Sequence, residues 1–233
     1  MTSNCLKNGI LTITIFYFTV NPINAQEITP YNNQQWFQYY NHIKLTDKSV
    51  LKSDVGYRRK NNIKNLSQYI VRTGIDYKIT PHVQLVVGFA HFWHYGNNDS
   101  LNRLESRPFQ EVIINDDHNT FKISHRFRAE QRIFTTNTSG YFNHRFRYRV
   151  LVNIPIVGFT KKGKDSKLYL NLSDEIFIHT GDETDNNLFA KNRVMIGTTF
   201  RISNELHLIF NYVYDYSLDN LSEILLFGIK QTF

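Results

Sequence analysis

Seven charged side chains stand at strict two-residue spacing in this 233-residue chain: Arg126, Arg128, Glu130 and Arg132, then Arg145, Arg147 and Arg149. In an extended chain alternate residues leave the backbone on one side, so each run is a row of charge along one face of a strand. A turn near residues 137–139 lays the rows side by side, with Glu130 roughly opposite Arg145 and Arg128 opposite Arg147. Like charges directly across a strand pair destabilise it unless carboxylates interleave. Glu105, Glu111 and Glu175 share the polar parity with Glu130 and can fill that role, while Arg107 and Arg193 extend the cationic set. Two chemistries suit such an array. It can lock a narrow, partly desolvated interior into one arrangement, or it can favour anions passing through or binding inside.

Nucleophilic chemistry has weaker support. Barrel lipases activate a Ser with a His at the lipid boundary, and in familiar cases the pair is His-x-Ser on one strand. None of the nine His residues is followed by that arrangement. Ser124 and His125 are adjacent and point to opposite faces, and Ser173 and His179 share a face but stand about 20 Å apart along a strand. A pair assembled from different strands stays open, and no catalytic residue is assigned. His91 and His94 fall on opposite faces, and Asp116-Asp117-His118 and Asp182-Glu183 are turn-like acidic clusters. No metal site and no cofactor is therefore expected, and dinucleotide and P-loop fingerprints are absent.

The elements that must carry these residues repeat every two positions from Trp36 onward. Tyr69, Val71, Thr73, Ile75, Tyr77 and Ile79 share one face against Gln68, Arg72, Gly74, Asp76 and Lys78. Phe142, His144, Phe146, Tyr148, Val150, Val152 and Ile154 likewise oppose Asn143, Arg145, Arg147, Arg149 and Asn153. Several such runs exceed about ten residues, longer than the usual soluble strand and right for a tilted membrane crossing. Thr80-Pro81, residues 115–119, residues 161–165 and Ser203-Asn204-Glu205 are expected as compact periplasmic turns. Residues 59–65, 96–103 and 181–187 are expected as longer outer loops, the usual asymmetry of an outer-membrane barrel. Eleven strands can be drawn. Bacterial barrels normally have an even count, so twelve are expected, the extra one from residues 28–35, with ten as the alternative.

The first 25 residues have a different character. Lys7 precedes an apolar run from Gly9 to Val20, broken by Asn21-Pro22 and followed by Ile23-Asn24-Ala25. That is a signal peptide in length and order, too short to span a bilayer as a helix. Its removal leaves residues 26–233 as one domain without cysteine, since the single Cys5 lies in the leader. No later stretch is apolar enough for a transmembrane helix. A formal net charge of +7 raises nucleic acid as a partner, but the arginines alternate through strands instead of clustering, so no nucleic-acid binding is expected.

Alternation alone does not say which face is outside. A soluble secreted ligand-binding barrel turns the apolar face inward. Regularly ordered Arg on the polar face favours the opposite arrangement, with lipid outside. So does the recurrence of aromatics near strand ends, where Tyr69, Tyr77, Trp93, Tyr212, Tyr214, Tyr216 and the terminal Phe233 would form an interfacial girdle. The last strand ends on an aromatic, as does the signal read by the outer-membrane insertion machinery, although Gln231 departs from it.

The charged motifs also follow a recognisable order: Glu105-Ser-Arg107-Pro-Phe109-Gln110, Arg126-Phe-Arg128-Ala-Glu130-Gln-Arg132, Arg145-Phe-Arg147-Tyr-Arg149, Asp174-Glu175 and Asn192-Arg193. This succession, over Trp36 to Phe233, resembles the outer-membrane barrel family of Bacteroidota catalogued as domain of unknown function 2490. The resemblance implies the fold and a Gram-negative outer-membrane location, and no particular chemistry. The expectation is thus an all-β antiparallel transmembrane barrel with a charge-filled lumen, structural or passing a small, unidentified solute slowly. A membrane lipid hydrolase or acyltransferase is the alternative. The expected partners are outer-membrane lipids and, through the C-terminal strand, the barrel-insertion machinery.

Overall fold

A computed structural model describes residues 31–60, 63–96, 99–136, 138–156, 167–181, 188–218 and 220–233. The leader over residues 1–25 and the acidic pair Asp182-Glu183 lie outside the described residues, as does the turn expected at 161–165. The described chain is a meander of strands: β1 (Tyr31–Lys44), β2 (Ser49–Lys60), β3 (Asn65–Lys78), β4 (Val83–Tyr95), β5 (Leu101–Asp117) and β6 (Lys122–Thr135). β7 (Gly140–Pro155), β8 (Leu168–Gly181), β9 (Phe189–Arg201), β10 (Leu206–Tyr216) and β11 (Leu221–Thr232) complete it. Each strand pairs antiparallel with its sequence neighbours, and β1 closes the barrel by pairing in parallel with β11, Tyr31 opposite Leu221 through His42 opposite Thr232. The strands run 11 to 17 residues, as the long period-two runs require.

The expectation of twelve strands, or ten, is not met: the sheet closes on eleven among the described residues. Tyr31 to Gln35, part of the segment meant to supply the extra strand, is the first turn of pleat of β1 itself. Eleven up-and-down strands place the start of β1 and the end of β11 at opposite rims. One, the C-terminal rim, carries residues 45–48, 79–82, 118–121 and 202–205 together with Phe233; the other, the N-terminal rim, begins at Tyr31.

Four of the tight turns use one device. The hydroxyls of Thr46, Thr80, Thr136 and Ser203 accept hydrogen bonds from the amides of Ser49, Val83, Ser139 and Leu206, at 3.0, 3.0, 3.0 and 3.1 Å. A side-chain oxygen three residues upstream thereby replaces the ladder partner that the reversing chain has lost. The expected contrast of short turns and long outer loops does not hold among the described connections. β2 continues to Lys60 and β3 starts at Asn65, so that connection is as short as the one between β1 and β2. Strand pairing satisfies more backbone polar groups than a polar loop would, and it extends into segments whose composition alone reads as loop.

The polarity of the wall is inverted relative to a soluble protein. Val87 is 63% exposed, and Ile75, Phe89, Phe127, Phe146, Ile196, Phe210 and Ile229 are exposed with it, whereas Glu105 and Glu130 are completely buried. Charge does not fill the interior alone. Ile70, Val86, Ala90, Phe92 and Phe109 form one internal apolar cluster, and Trp36, Val213, Ile224 and Leu226 form another. Phe109 fits because Gly74 and Gly88 face it: a Cβ at Gly74 would stand 2.9 Å from the Val87 carbonyl and 3.5 Å from the Phe109 ring. Pro108, which has no amide to donate, sits within β5 where its pairing to β6 is interrupted between Ser106 and Phe109.

Candidate functional site

The hairpin of β6 and β7 has the expected register, Glu130 opposite Arg145 and Arg128 opposite Arg147, with Arg126 opposite Arg149. Two adjacent Arg–Arg pairs would be strongly repulsive in a narrow lumen, and the carboxylates of two other strands, β5 and β8, and of β6 itself resolve the conflict. Glu130 accepts from Arg145 Nε at 2.6 Å and Arg147 Nη1 at 2.9 Å, and ion-pairs with Arg128 and Arg107 at 3.3 and 3.8 Å. Glu175 on β8 accepts from Arg147 Nε at 2.9 Å and Arg126 Nη2 at 2.5 Å. Glu111 on β5 accepts from Arg128 and stands 3.4 Å from Arg126 Nη1. Glu105 accepts from Arg107 Nε at 2.8 Å, Arg132 Nε at 2.7 Å and His94 Nε2 at 3.0 Å. Four Glu and six Arg therefore form one connected network spanning β5 to β8. In a low-dielectric interior such charges are tolerable only with this degree of mutual satisfaction.

Two expected members stand apart from it. Arg193 is the cross-strand neighbour of Glu175, yet its guanidinium turns to Asp215, donating from Nε at 2.6 Å. Lys191 joins the same carboxylate at 2.7 Å. Arg149 has no carboxylate within ion-pair distance among the described residues, and its Nε is buried without a hydrogen-bond partner. Aromatic faces cover the network. Arg147 lies 4.5 Å above the Phe177 ring, Arg107 3.9 Å above Phe92, and Arg58 3.6 Å above Trp36. These cation–π contacts and the buried rings of Phe134 and Phe177 pack apolar surface against the guanidinium groups in the half of the lumen towards the N-terminal rim.

The other half is hollow. A cavity of about 820 Å³ runs from the network to the C-terminal rim. Arg126, Arg128, Arg147, Arg149 and Glu175 form its floor, and His42, Lys52, Lys122, Arg201, His207 and Lys230 line its mouth. Midway, Arg72 donates to both oxygens of Asp54, at 2.9 and 3.1 Å from Nε, and Gln38 donates to the same carboxylate. The interior thus holds a vestibule that rises from the charged layer towards the C-terminal rim and also reaches Trp36, Arg58 and Val213.

The outer wall carries the residues expected in an aromatic girdle. Tyr69, Trp93, Tyr212, Tyr214 and Tyr216 lie in the half towards the N-terminal rim, where Tyr57, Tyr69 and Tyr95 also meet ring to ring at 5.3 and 5.7 Å. Tyr77 and Phe233 are at the C-terminal rim, 47% and 62% exposed. Between outward side chains such as Phe37, Tyr57, Phe210 and Phe227 run apolar grooves. One Ser–His contact is on this wall: His91 Nδ1 and Ser106 Oγ, cross-strand partners on β4 and β5, are 3.0 Å apart, with Trp93 packed on the imidazole at 4.5 Å. Its other ring nitrogen has no hydrogen-bond partner among the described residues. No group of three or more His, Cys, Asp or Glu side chains able to hold a metal occurs among the described residues.

Sequence reasoning missed Asp54, Asp215, Lys191 and the internal aromatics Trp36, Phe92, Phe134 and Phe177. The parity of Phe134 and Phe177 was available, since each lies an even number of residues from a charged neighbour on its strand. An apolar residue on a polar face was discounted because charge set the face's identity.

A family profile described as "Protein of unknown function (DUF2490)" matches residues 33–220. An uncharacterised protein of Methylorubrum extorquens is 30% identical over 104 residues, which are 44% of this chain and 45% of that protein. The chain thus spans less than half the length of that relative.

Proposed function

The chain belongs to the family described as protein of unknown function DUF2490, and from that premise we propose that it is an outer-membrane β-barrel of a Gram-negative bacterium. It would be exported by the leader over residues 1–25 and inserted through its C-terminal strand. The observation that carries this reading is the inverted polarity of the wall. Exposed aliphatic and aromatic side chains cover the barrel on all sides, and the glutamates and arginines turn inward. A contiguous apolar surface of that extent is unstable in water and matches hydrocarbon. For the same reason a soluble ligand-binding barrel is disfavoured. The Bacteroidota origin suggested by the motif order rests on that resemblance alone.

Within the membrane, the barrel acts as a rigid, plugged shell with a vestibule at the C-terminal rim. The aromatic end of β11, read as an insertion signal, supports a periplasmic position for that rim. The density of the Arg/Glu network supports a plug between the vestibule and the opposite rim, so a structural or binding role is favoured over free solute passage. The test is conductance in a planar bilayer. The wild-type chain is expected to give no steady channel at any salt concentration, and large ohmic steps would overturn the plug.

The hydrolase reading has one concrete anchor, the Ser106–His91 contact on the lipid-facing wall. A Ser beside a His at the acyl boundary is the arrangement nucleophilic attack needs, although no hydrogen-bond partner among the described residues holds the far nitrogen of this imidazole. Fatty-acid release from phospholipid vesicles that disappears in Ser106→Ala would establish it. Release that persists in that variant, or none from the wild type, removes it.

A further inference from the structure

The mouth of the vestibule is asymmetric. Arg201, His207 and Lys230 are consecutive cross-strand partners on β9, β10 and β11. His42 and Lys52 are partners across β1 and β2, one inward position nearer the rim. Lys52, Arg201 and Lys230, with the two histidines between them, therefore form a basic arc on five adjacent strands around nearly half of the opening. The facing half carries Asn153, Tyr169 and Asn171, neutral donors and acceptors, with Lys122 at the edge. Among the described residues only Lys52 of the arc has a carboxylate partner, Asp76. Arg201 and Lys230 have none among the described residues, and His207 Nε2 is buried with no hydrogen-bond partner. The deeper carboxylates cannot compensate, because Asp54, Glu111 and Glu175 are held by Arg72, Arg128 and Arg147.

Counting only side chains that are always charged, Lys52, Arg201 and Lys230 against Asp76 leave an excess of two positive charges. A buried or half-buried surplus of this kind is unfavourable unless an anion joins it. Ile209 lies one inward position deeper on β10, and farther in, beyond Thr199 and Tyr40, the wall carries Leu226, Met195 and Trp36. The cavity is of the size that holds a small organic molecule.

We propose that this arc binds the dianionic phosphate of a small organic phosphate monoester, with its organic part on the apolar wall behind. The charge surplus matches a phosphate monoester, which carries about −1.5 to −2 at neutral pH. Arg201 supplies a planar fork of donors and Lys230 and Lys52 supply point charges, the combination that phosphate recognition uses. The proposal deepens the reading of a solvent-open vestibule in a membrane barrel and rests on it. The phosphate can belong to a soluble ester or to a lipid headgroup.

Titration calorimetry on the full-length chain refolded in detergent tests it, with phenyl phosphate as the probe and benzoate as a monoanionic comparison. The wild type is expected to bind phenyl phosphate at least about tenfold more tightly than benzoate, and Arg201→Gln with Lys230→Gln is expected to weaken phenyl phosphate by about tenfold or more. Heat-modifiable migration on gels verifies that the double variant is a folded barrel. Where that variant fails to fold, Lys230→Gln alone is read instead. Competition by glycerol 3-phosphate identifies a soluble source, and competition only by phosphatidic acid in mixed micelles identifies a headgroup. Absence of phenyl phosphate binding, equal binding of benzoate, or binding unchanged in the folded variant overturns the proposal. A chain that still needs detergent in that outcome leaves the membrane-barrel reading standing. A chain soluble without detergent overturns that reading, whatever the calorimetry shows.

Discussion

Glu130 has the greatest structural leverage of any single side chain. It is fully buried and its two oxygens serve Arg145, Arg147, Arg128 and Arg107 from three strands. Removing it leaves a cluster of guanidinium groups facing one another without water to separate them. Glu130→Ala is therefore expected to destabilise the barrel by about 3–5 kcal/mol, the cost of stripping one partner from a buried ion pair. Urea unfolding from lipid vesicles, followed by tryptophan fluorescence, measures it. The Lys122–Asp117 pair is the control: it is 3.2 Å long, but its side chains are 64% and 55% exposed. Lys122→Ala is expected to cost less than about 1 kcal/mol, because solvent screens such pairs. Equal effects at the two sites would mean that the lumen is wet throughout.

At the scale of elements, the β6–β7 hairpin was legible in the sequence to the residue. The two-residue period of Arg126 to Arg132 and Arg145 to Arg149 fixes the inward face, and the short Thr136-to-Ser139 turn fixes the register. β2 was not legible in the same way. Its face mixes Lys52, Asp54, Gly56 and Arg58 with a register shift between Arg58 and Arg59, so a plain alternation pattern breaks there. The strand count was misjudged for a related reason: local period specifies a strand but not how a sheet closes, and the parallel β1–β11 seam is a long-range fact. Partners such as Asp54 with Arg72 or Asp215 with Arg193 depend on side-chain reach across strands, which spacing along one strand does not encode. The hairpin of β3 and β4 offers an independent test. Gly88 faces the Phe109 ring and the Thr73 carbonyl so closely that any side chain must displace one of them. Gly88→Val is expected to destabilise by about 1–3 kcal/mol through overpacking. Gly88→Val combined with Phe109→Leu is expected to recover part of the loss in the same unfolding assay, and no recovery would argue against the ring as the obstacle.

For the whole molecule, an odd strand number and a parallel seam put the start of β1 and the end of β11 at opposite rims. The lumen differs along its height, with ion pairs and aromatic rings beside β5 to β8 and a cavity that lies towards the C-terminal rim. Both features depend on the inversion of polarity across the wall. Were the apolar side chains facing water, the interior charge would have no compensating solvent boundary, and the lumen network would be a cost without a function. Fluorescence quenching tests the inversion directly. Phe127 lies mid-height on the outer wall, 48% exposed, and flanks the inward Arg126 and Arg128. In vesicles of brominated phospholipid, a chain whose sole tryptophan is introduced by Phe127→Trp, with Trp36→Phe and Trp93→Phe, is expected to lose most of its emission to bromine on mid-acyl carbons and to resist aqueous iodide. Quenching by iodide with no effect of the brominated acyl chains would contradict the account.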